Sequence, residues 1–292
     1  MKDLLLHKVT RLQANVFAGS PSHALLITGD ECSGKGYLST HLSTILLGLD
    51  HAQDLQSYPY FVHIKRPDGK QDIPIESIRA LNKLLTLKAP GSRKIRRVIL
   101  IEDAHYLNEE SSNALLKMLE EPSIETVFIL TATSPEVLLP TISSRAQQLQ
   151  VKPVSLTQSL EFLKDNYVAG DIEKAWRLSG GSAGLMVAIL GGDNKHPLKM
   201  AVDEAKDYLR KSSYERLLMI DVLSRDKTRL ALFLEGLVRV LGAVQRSETG
   251  SSSNIQQKNV LRSRRLVLRL QEALDANVST KLIALNLGLN LI

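Results

Sequence analysis

Apolar positions in the first half of the chain follow two alternating rhythms. Short apolar runs occur at His23–Thr28, Tyr60–Ile64, Val98–Ile101 and Val127–Thr131, and the continuous hydrophobicity of the third predicts a strand buried on both faces. Between them lie stretches of helical spacing: Leu4–Phe17, Lys35–Leu49, Ile75–Leu87 and Asn108–Glu121, the last stopped by Pro122. A polar turn, Pro67-Asp-Gly-Lys70, follows the second run, and Pro90-Gly91-Ser92 ends the third helical stretch. Strands alternating with helices predict a parallel sheet with right-handed crossovers and helices on both faces.

Past Val154 the strand rhythm disappears. Ser159–Asn166, Ile172–Leu178 and Ala183–Leu190 are short helical segments separated by glycine pairs, and Asn194-Lys-His-Pro197 reads as a linker. Helical spacing runs from Met200 to Val244, Ser247–Asn254 is a polar, Ser-rich loop, and Val260–Ala276 and Lys281–Leu291 close the chain as helices. The pattern divides the 292 residues into an α/β domain over 1–152, a small helical domain over 153–193 and an all-helical domain over 194–292. No internal repeat is visible.

Composition narrows the class. With 43% hydrophobic residues the chain can bury a sizeable core, but aromatics are only 4%, so aliphatic side chains must fill it. The same scarcity argues against the aromatic stacking platforms of single-strand binders. A net charge of +6 suits contact with DNA phosphates, as it suits many proteins with no nucleic-acid role. A single cysteine, Cys32, excludes an internal disulfide framework and a cysteine-based zinc site, and fits a reducing compartment. Met1–Gly19 carries polar and charged residues throughout, unlike a secretory signal, and no apolar run is long enough to span a bilayer. A cytoplasmic protein without a membrane partner is expected.

The first motif with chemistry is Gly29-Asp-Glu-Cys-Ser-Gly34-Lys35, which fits the G-x-x-x-x-G-K of a Walker A loop and lies between a predicted strand and a predicted helix. In such a loop successive N–H groups turn inward around an anion at a helix N-terminus, and the lysine reaches the terminal phosphates. Gly29, Ser33, Gly34, Lys35 and Gly36 are therefore the candidate contacts for ATP or ADP with magnesium. The position after the lysine ordinarily carries a hydroxyl that binds the metal; here it is Gly36. Asp30 and Glu31 add two carboxylates to a loop meant for phosphate, and like charge disfavours an anion. The loop reads either as a phosphate site or as a relic that only joins strand to helix.

The second motif is Val98-Ile-Leu-Ile-Glu102-Asp103-Ala-His105. A Walker B strand ends in one carboxylate for magnesium and another that polarises water. Glu102 is the candidate metal ligand and Asp103 the candidate for water, in an order inverted from the usual Asp-Glu. The longer side chain pushes the metal-side oxygen outward and the shorter one retreats from the water, so each change weakens hydrolysis. Two solvated acids after a core strand are the plainer reading.

Four blocks in order carry a family resemblance: Glu102-Asp-Ala-His-Tyr-Leu107, Asn113-Ala-Leu-Leu-Lys117-Met-Leu-Glu-Glu-Pro122, Phe128-Ile-Leu-Thr-Ala-Thr133 and Leu139-Pro-Thr-Ile-Ser-Ser-Arg145-Ala146. They resemble the bacterial clamp-loader ATPases, the family of the gamma/tau and delta-prime subunits of DNA polymerase III. The segment from Pro67 through Ile75-Glu-Ser-Ile-Arg79 and the lid-like Ser179-Gly-Gly-Ser-Ala-Gly184 extend the likeness. The resemblance implies an AAA+ P-loop fold: a five-stranded parallel sheet, a helical lid and an all-α collar that assembles subunits into a pentamer. It places Thr133 at the sensor 1 position. It also makes Arg145 the arginine of the Ser-Arg-Cys motif, acting in trans on ATP held by a neighbouring subunit, with Ala146 in place of Cys.

Three departures shape the implied function. The family's four-cysteine zinc module is absent, the sensor 2 arginine has no counterpart in Ser182-Ala-Gly-Leu-Met-Val187, and Gly36 lacks the metal-binding hydroxyl. The nucleotide site in cis is thus depleted while the trans Arg145 is kept, which resembles delta-prime more than gamma. The implied role is a clamp-loader subunit of weak or absent ATPase activity, partnered by gamma/tau and delta subunits, the sliding clamp and primer-template DNA. An active gamma/tau-type ATPase is the alternative, distinguished by turnover of the isolated chain; a stand-alone DNA-binding regulator finds no helix-turn-helix pattern. The collar-like region carries a basic cluster, Arg262, Arg264, Arg265 and Arg269, that either touches DNA phosphate or forms a solvated helix face.

Overall fold

Unbroken apolar runs can be buried only between two layers, and this is where the chain places them. In the computed structural model, which describes residues 4–67, 70, 72–87, 89–247 and 254–291, the chain forms two compact units, Met1–Val154 and Ser155–Ile292. The first contains strands β1 (Ala24–Thr28), β2 (Phe61–Ile64), β3 (Arg97–Ile101), β4 (Thr126–Ala132) and β5 (Gln147–Gln150). They form the expected five-stranded sheet in the order β2-β3-β4-β1-β5, with every pairing parallel.

Successive side chains leave opposite faces of a strand, and each face has its own helices. Leu26, Ile99, Ile101, Phe128 and Leu130 pack in one core cluster with Ile78 and Leu81 of α3 (Ile75–Leu85) and Leu115 and Leu119 of α4 (Glu109–Glu120). Leu25, Ile27, Leu100 and Ile129 pack on the other side with Phe17 of α1 (Lys8–Gly19) and Leu38 and Leu42 of α2 (Lys35–Leu47). A short α5 (Pro140–Ser143) leads into β5.

β5 had no apolar run to announce it, because it is an edge strand in which Leu149 alone is buried. Its backbone is satisfied by β1, while the hydroxyl of Thr10 on α1 donates to the Gln150 carbonyl at 3.0 Å and accepts from the Lys152 amide at 3.1 Å. β3 also begins one residue earlier than its apolar run, with a fully buried Arg97. Its guanidinium donates to the Leu87 carbonyl and lies over the Tyr60 ring; burial lowers its pKa, and nearby Glu125 opposes that shift.

The second unit is helical throughout: α6 (Leu156–Leu163), α7 (Ala169–Ser179), α8 (Ala183–Leu190), α9 (Pro197–Arg210), α10 (Ser213–Leu223), α11 (Lys227–Ser247), α12 (Asn254–Asp275) and α13 (Thr280–Asn290). The helical spacing expected over Met200–Val244 is carried by three helices. Ser212 starts α10 with a capping box completed by Glu215, an N-terminal signal inside the apolar periodicity. The expected linker at Asn194–Pro197 lies in the connection from α8 to α9 as far as His196, which caps α9, and only Pro197 belongs to the first turn of that helix. Tyr208, Phe233, Leu237, Val267, Ile283 and Leu287 form the core, with the Tyr208 and Phe233 rings edge to face at 5.3 Å. The polar turn at Pro67–Lys70 and the Ser-rich loop at Ser247–Asn254 lie largely outside the described residues. Among those described, no helix is long and apolar enough to cross a membrane.

Candidate functional site

Loops at the carboxyl ends of parallel strands meet in one crevice, and here β1, β3 and β4 end side by side. Gly29, just past β1, donates its amide to the carbonyls of Ala132, the last residue of β4, and Thr133 beyond it, at 3.3 and 3.2 Å. The loop runs to Gly34, which caps α2 in a left-handed conformation. Lys35 is buried, 8% exposed, and its ammonium donates to the carbonyls of Gly29 at 2.9 Å and Asp30 at 3.2 Å. The lysine therefore closes the loop on itself and keeps one of its three N–H groups. Asp30 and Glu31 are exposed, and the buried Ser33 hydroxyl has no hydrogen-bond partner among the described residues.

Gly36 borders the acidic motif directly. A Cβ placed on it would stand 3.1 Å from Oε1 of Glu102. The other oxygen of Glu102 is 3.0 Å from Nε2 of His63 on β2. That hydrogen bond holds the Glu102 carboxyl below the usual range, burial opposes the shift, and His63, Lys65 and Lys35 reinforce it by their charge. Hydroxyls one turn along α2 do not replace the one missing at Gly36, because Ser39 and Thr40 both donate to the Gly36 carbonyl, at 2.8 and 2.9 Å.

Asp103 takes a left-handed backbone (φ 50°), and its amide donates to the hydroxyl of the buried Thr131 at 2.8 Å. Thr133 joins the crevice through its carbonyl, which receives Gly29. His105, two residues on, has its pKa lowered mainly by burial; the Asp103 charge opposes that shift, while Lys35 and Arg66 add to it. Among the described residues no three or more His, Cys, Asp or Glu side chains are grouped to hold a metal ion.

Arg145 has different partners. Its Nη2 donates to Glu120 at 2.8 Å and its Nη1 to the Thr141 carbonyl at 3.0 Å, with the side chain 37% exposed. Thus Gly29, Lys35, Gly36, Glu102 and Thr133 come together, Asp103 is tied to β4 through Thr131, and Arg145 is held at the end of α4. Sequence reasoning missed His63, whose signal was a single polar residue inside the β2 run, and Thr131, a polar residue near the end of β4.

A family model described as DNA polymerase III, delta subunit, matches residues 6–155. The chain is 31% identical over 200 residues to DNA polymerase III subunit delta' of Escherichia coli, covering 63% of this chain and 59% of that protein. It is 33% identical over 178 residues to subunit delta' of Pseudomonas aeruginosa, covering 55% and 53% respectively. The matched part thus spans somewhat over half the length of these relatives. A solved structure of a DNA polymerase III gamma subunit-related protein from Thermotoga maritima superposes with a TM-score of 0.54 over 96% of this chain and 97% of that one, at 18% identity, and shows the same fold.

Proposed function

The chain belongs to the family described as DNA polymerase III, delta subunit, and on that premise we propose that it is a delta-prime-like clamp-loader subunit that lends Arg145 to a neighbour's ATP while its own nucleotide site is degenerate. The observation that carries this reading is the placement of Glu102. One of its oxygens is bonded to His63 and the other stands 3.1 Å from where a Gly36 side chain would begin, beside the position that lacks a metal-binding hydroxyl.

The crevice residues fit a phosphate better than a metal. Lys35, the unpartnered Ser33 hydroxyl and the Gly34 and Lys35 amides at the start of α2 would hold the phosphates of ATP or ADP, while the Gly29 and Ser33 amides are given to carbonyls. The residues fit magnesium poorly: Gly36 offers no side-chain oxygen, Ser39 and Thr40 are turned onto a carbonyl, and one of the two Glu102 oxygens is given to His63. Asp103 and Thr133, the candidate water and sensor residues, then border a site without turnover.

Arg145 supports the trans role. A guanidinium stabilises charge spreading over a transferred phosphoryl group, and this one is partly exposed and held by Glu120 and the Thr141 carbonyl. Residues 1–152 would form the ATPase-like module, 153–193 the lid and 194–292 the collar. The helical unit exposes apolar faces suited to packing against neighbouring subunits, with Tyr214, Leu218 and Val222 on α10 and Leu282, Leu285 and Leu289 on α13. The partners are gamma/tau- and delta-type subunits, the sliding clamp and primer-template DNA. Of the four α12 arginines, Arg264 is bonded to Gln245 at 3.0 Å and the other three are exposed.

The test is reconstitution with gamma/tau- and delta-type partners. The isolated chain should hydrolyse negligible ATP, the complex should hydrolyse it with clamp and primed DNA present, and Arg145→Ala should lower that rate without preventing assembly. Robust turnover by the isolated chain would favour the gamma/tau-type alternative; unchanged rates with Arg145→Ala would remove the trans role.

A further inference from the structure

An arginine that reaches across to another subunit must keep its guanidinium in one orientation at the surface, although a free arginine samples many rotamers. The residues around Arg145 restrict it at both ends. Its neighbours Ile142 and Ala146 are buried, 0% and 8% exposed, in the same core cluster as Leu115, Met118 and Leu119 of α4. Its backbone amide donates to the Ile142 carbonyl at 3.1 Å. The tip is held by two acceptors on different elements, the Thr141 carbonyl of α5 on Nη1 and the Glu120 carboxylate of α4 on Nη2. Two anchors on two nitrogens fix the plane of the group. They use two of its five N–H donors and leave three for another ligand.

From this geometry we infer that Glu120 is a positioning residue: it orients the Arg145 guanidinium, through the Nη2 hydrogen bond, for an anionic phosphoryl group presented by a neighbouring subunit. The inference rests on the trans role proposed for Arg145. Glu120 is half-exposed at the last residue of α4, where a negative charge gains nothing from the helix dipole, so it adds little to the fold. Its effect is therefore expected in the orientation of Arg145 and not in stability. Ala146 fits the same logic, since the residue after Arg145 faces the core and must be small and apolar.

The experiment compares Glu120→Ala, Glu120→Gln, Arg145→Ala and the Glu120→Ala/Arg145→Ala double variant, each in the full reconstituted complex with clamp and primed DNA. The kcat for ATP should fall roughly fivefold in Glu120→Ala, the scale of one exposed charge pair, with KM for ATP unchanged. Glu120→Gln, which keeps an acceptor oxygen, should recover most of the loss. The double variant should match Arg145→Ala, because the glutamate acts only through the arginine. The free subunits should melt within a degree or two of one another. If Glu120→Ala turns over ATP at or above the wild-type rate while Arg145→Ala is slow, the positioning role is overturned and the trans role stands. An additive double variant, or a Gln variant no better than Ala, also overturns it. Unchanged turnover in Arg145→Ala overturns the trans role itself and this inference with it.

Discussion

Gly36→Ser returns a hydroxyl to the place where the crevice lacks one, and its cost follows from the structure. The new Cβ meets Glu102 Oε1 at 3.1 Å, the mobile end of a side chain, so a shift of a few tenths of an ångström relieves the contact. If the shift breaks the His63–Glu102 bond the loss is at most about 1 kcal/mol, because both side chains are more than a third exposed, at 38% and 35%. Replacing glycine by serine in a helix returns about 0.5 kcal/mol. The net change is about 0.5 kcal/mol or less, which moves the melting temperature by about 2 °C at most for a unit of this size. Binding can therefore be compared without a folding artefact. The assay is titration with a fluorescent ATP analogue in magnesium and in EDTA, with phosphate release followed in parallel. The wild type should give the same result in both buffers, including no binding in either. Gly36→Ser combined with His63→Ala, which frees the carboxylate, should bind at least about tenfold tighter with magnesium, a gain of about 1.4 kcal/mol, and should still turn over little because Glu102 and Asp103 remain inverted. Magnesium-dependent hydrolysis by the wild type that Lys35→Ala abolishes would refute the reasoning. So would a double variant indifferent to magnesium.

Three further outcomes are expected. Gly236→Ala drives a Cβ into the Ala201 carbonyl oxygen, a backbone atom of α9 that cannot turn away; overpacking should outweigh the helix-propensity gain and cost about 2 kcal/mol in a urea melt, and a neutral variant would show that the two helices slide apart easily. His105 has its pKa held below the ordinary 6.5 mainly by burial, and its Nδ1 has no partner among the described residues. The unfolded chain therefore binds the proton first, so its contribution is intact above about pH 6.5 and is lost as pH falls toward the folded value; His105→Gln should flatten the melting temperature between pH 7 and pH 5 relative to wild type, and parallel curves would count against it. Arg145→Lys should restore little of the ATP turnover lost in Arg145→Ala, because a point charge on a flexible stem cannot bond Glu120 and Thr141 while presenting a planar fork to a phosphate; full rescue in the reconstituted complex would mean that charge alone suffices.

The α/β class, four of the five strands, the loop before α2 and the acids after β3 were all readable in the sequence. Each depends on local pattern: a run of Val, Ile and Leu must be covered on both faces, and Gly-x-x-x-x-Gly-Lys between strand and helix must bend around its own amides. The family was readable as well, from the ordered blocks between Glu102 and Arg145. What tertiary structure decided is which distant groups meet. β5 is almost wholly polar and becomes a strand only because β1 offers an edge to pair with. Arg97 is buried because Tyr60, Leu87 and Glu125 converge on it from three other segments. Glu102 is bonded by His63, 39 residues earlier in the chain, and Arg145 by Glu120, 25 residues earlier, so neither partner can be found from spacing. Periodicity records whether a residue faces the core, because burial repeats with the backbone geometry. It carries no record of which polar group waits there, since that depends on the register of strands and the packing of helices brought together from far along the chain.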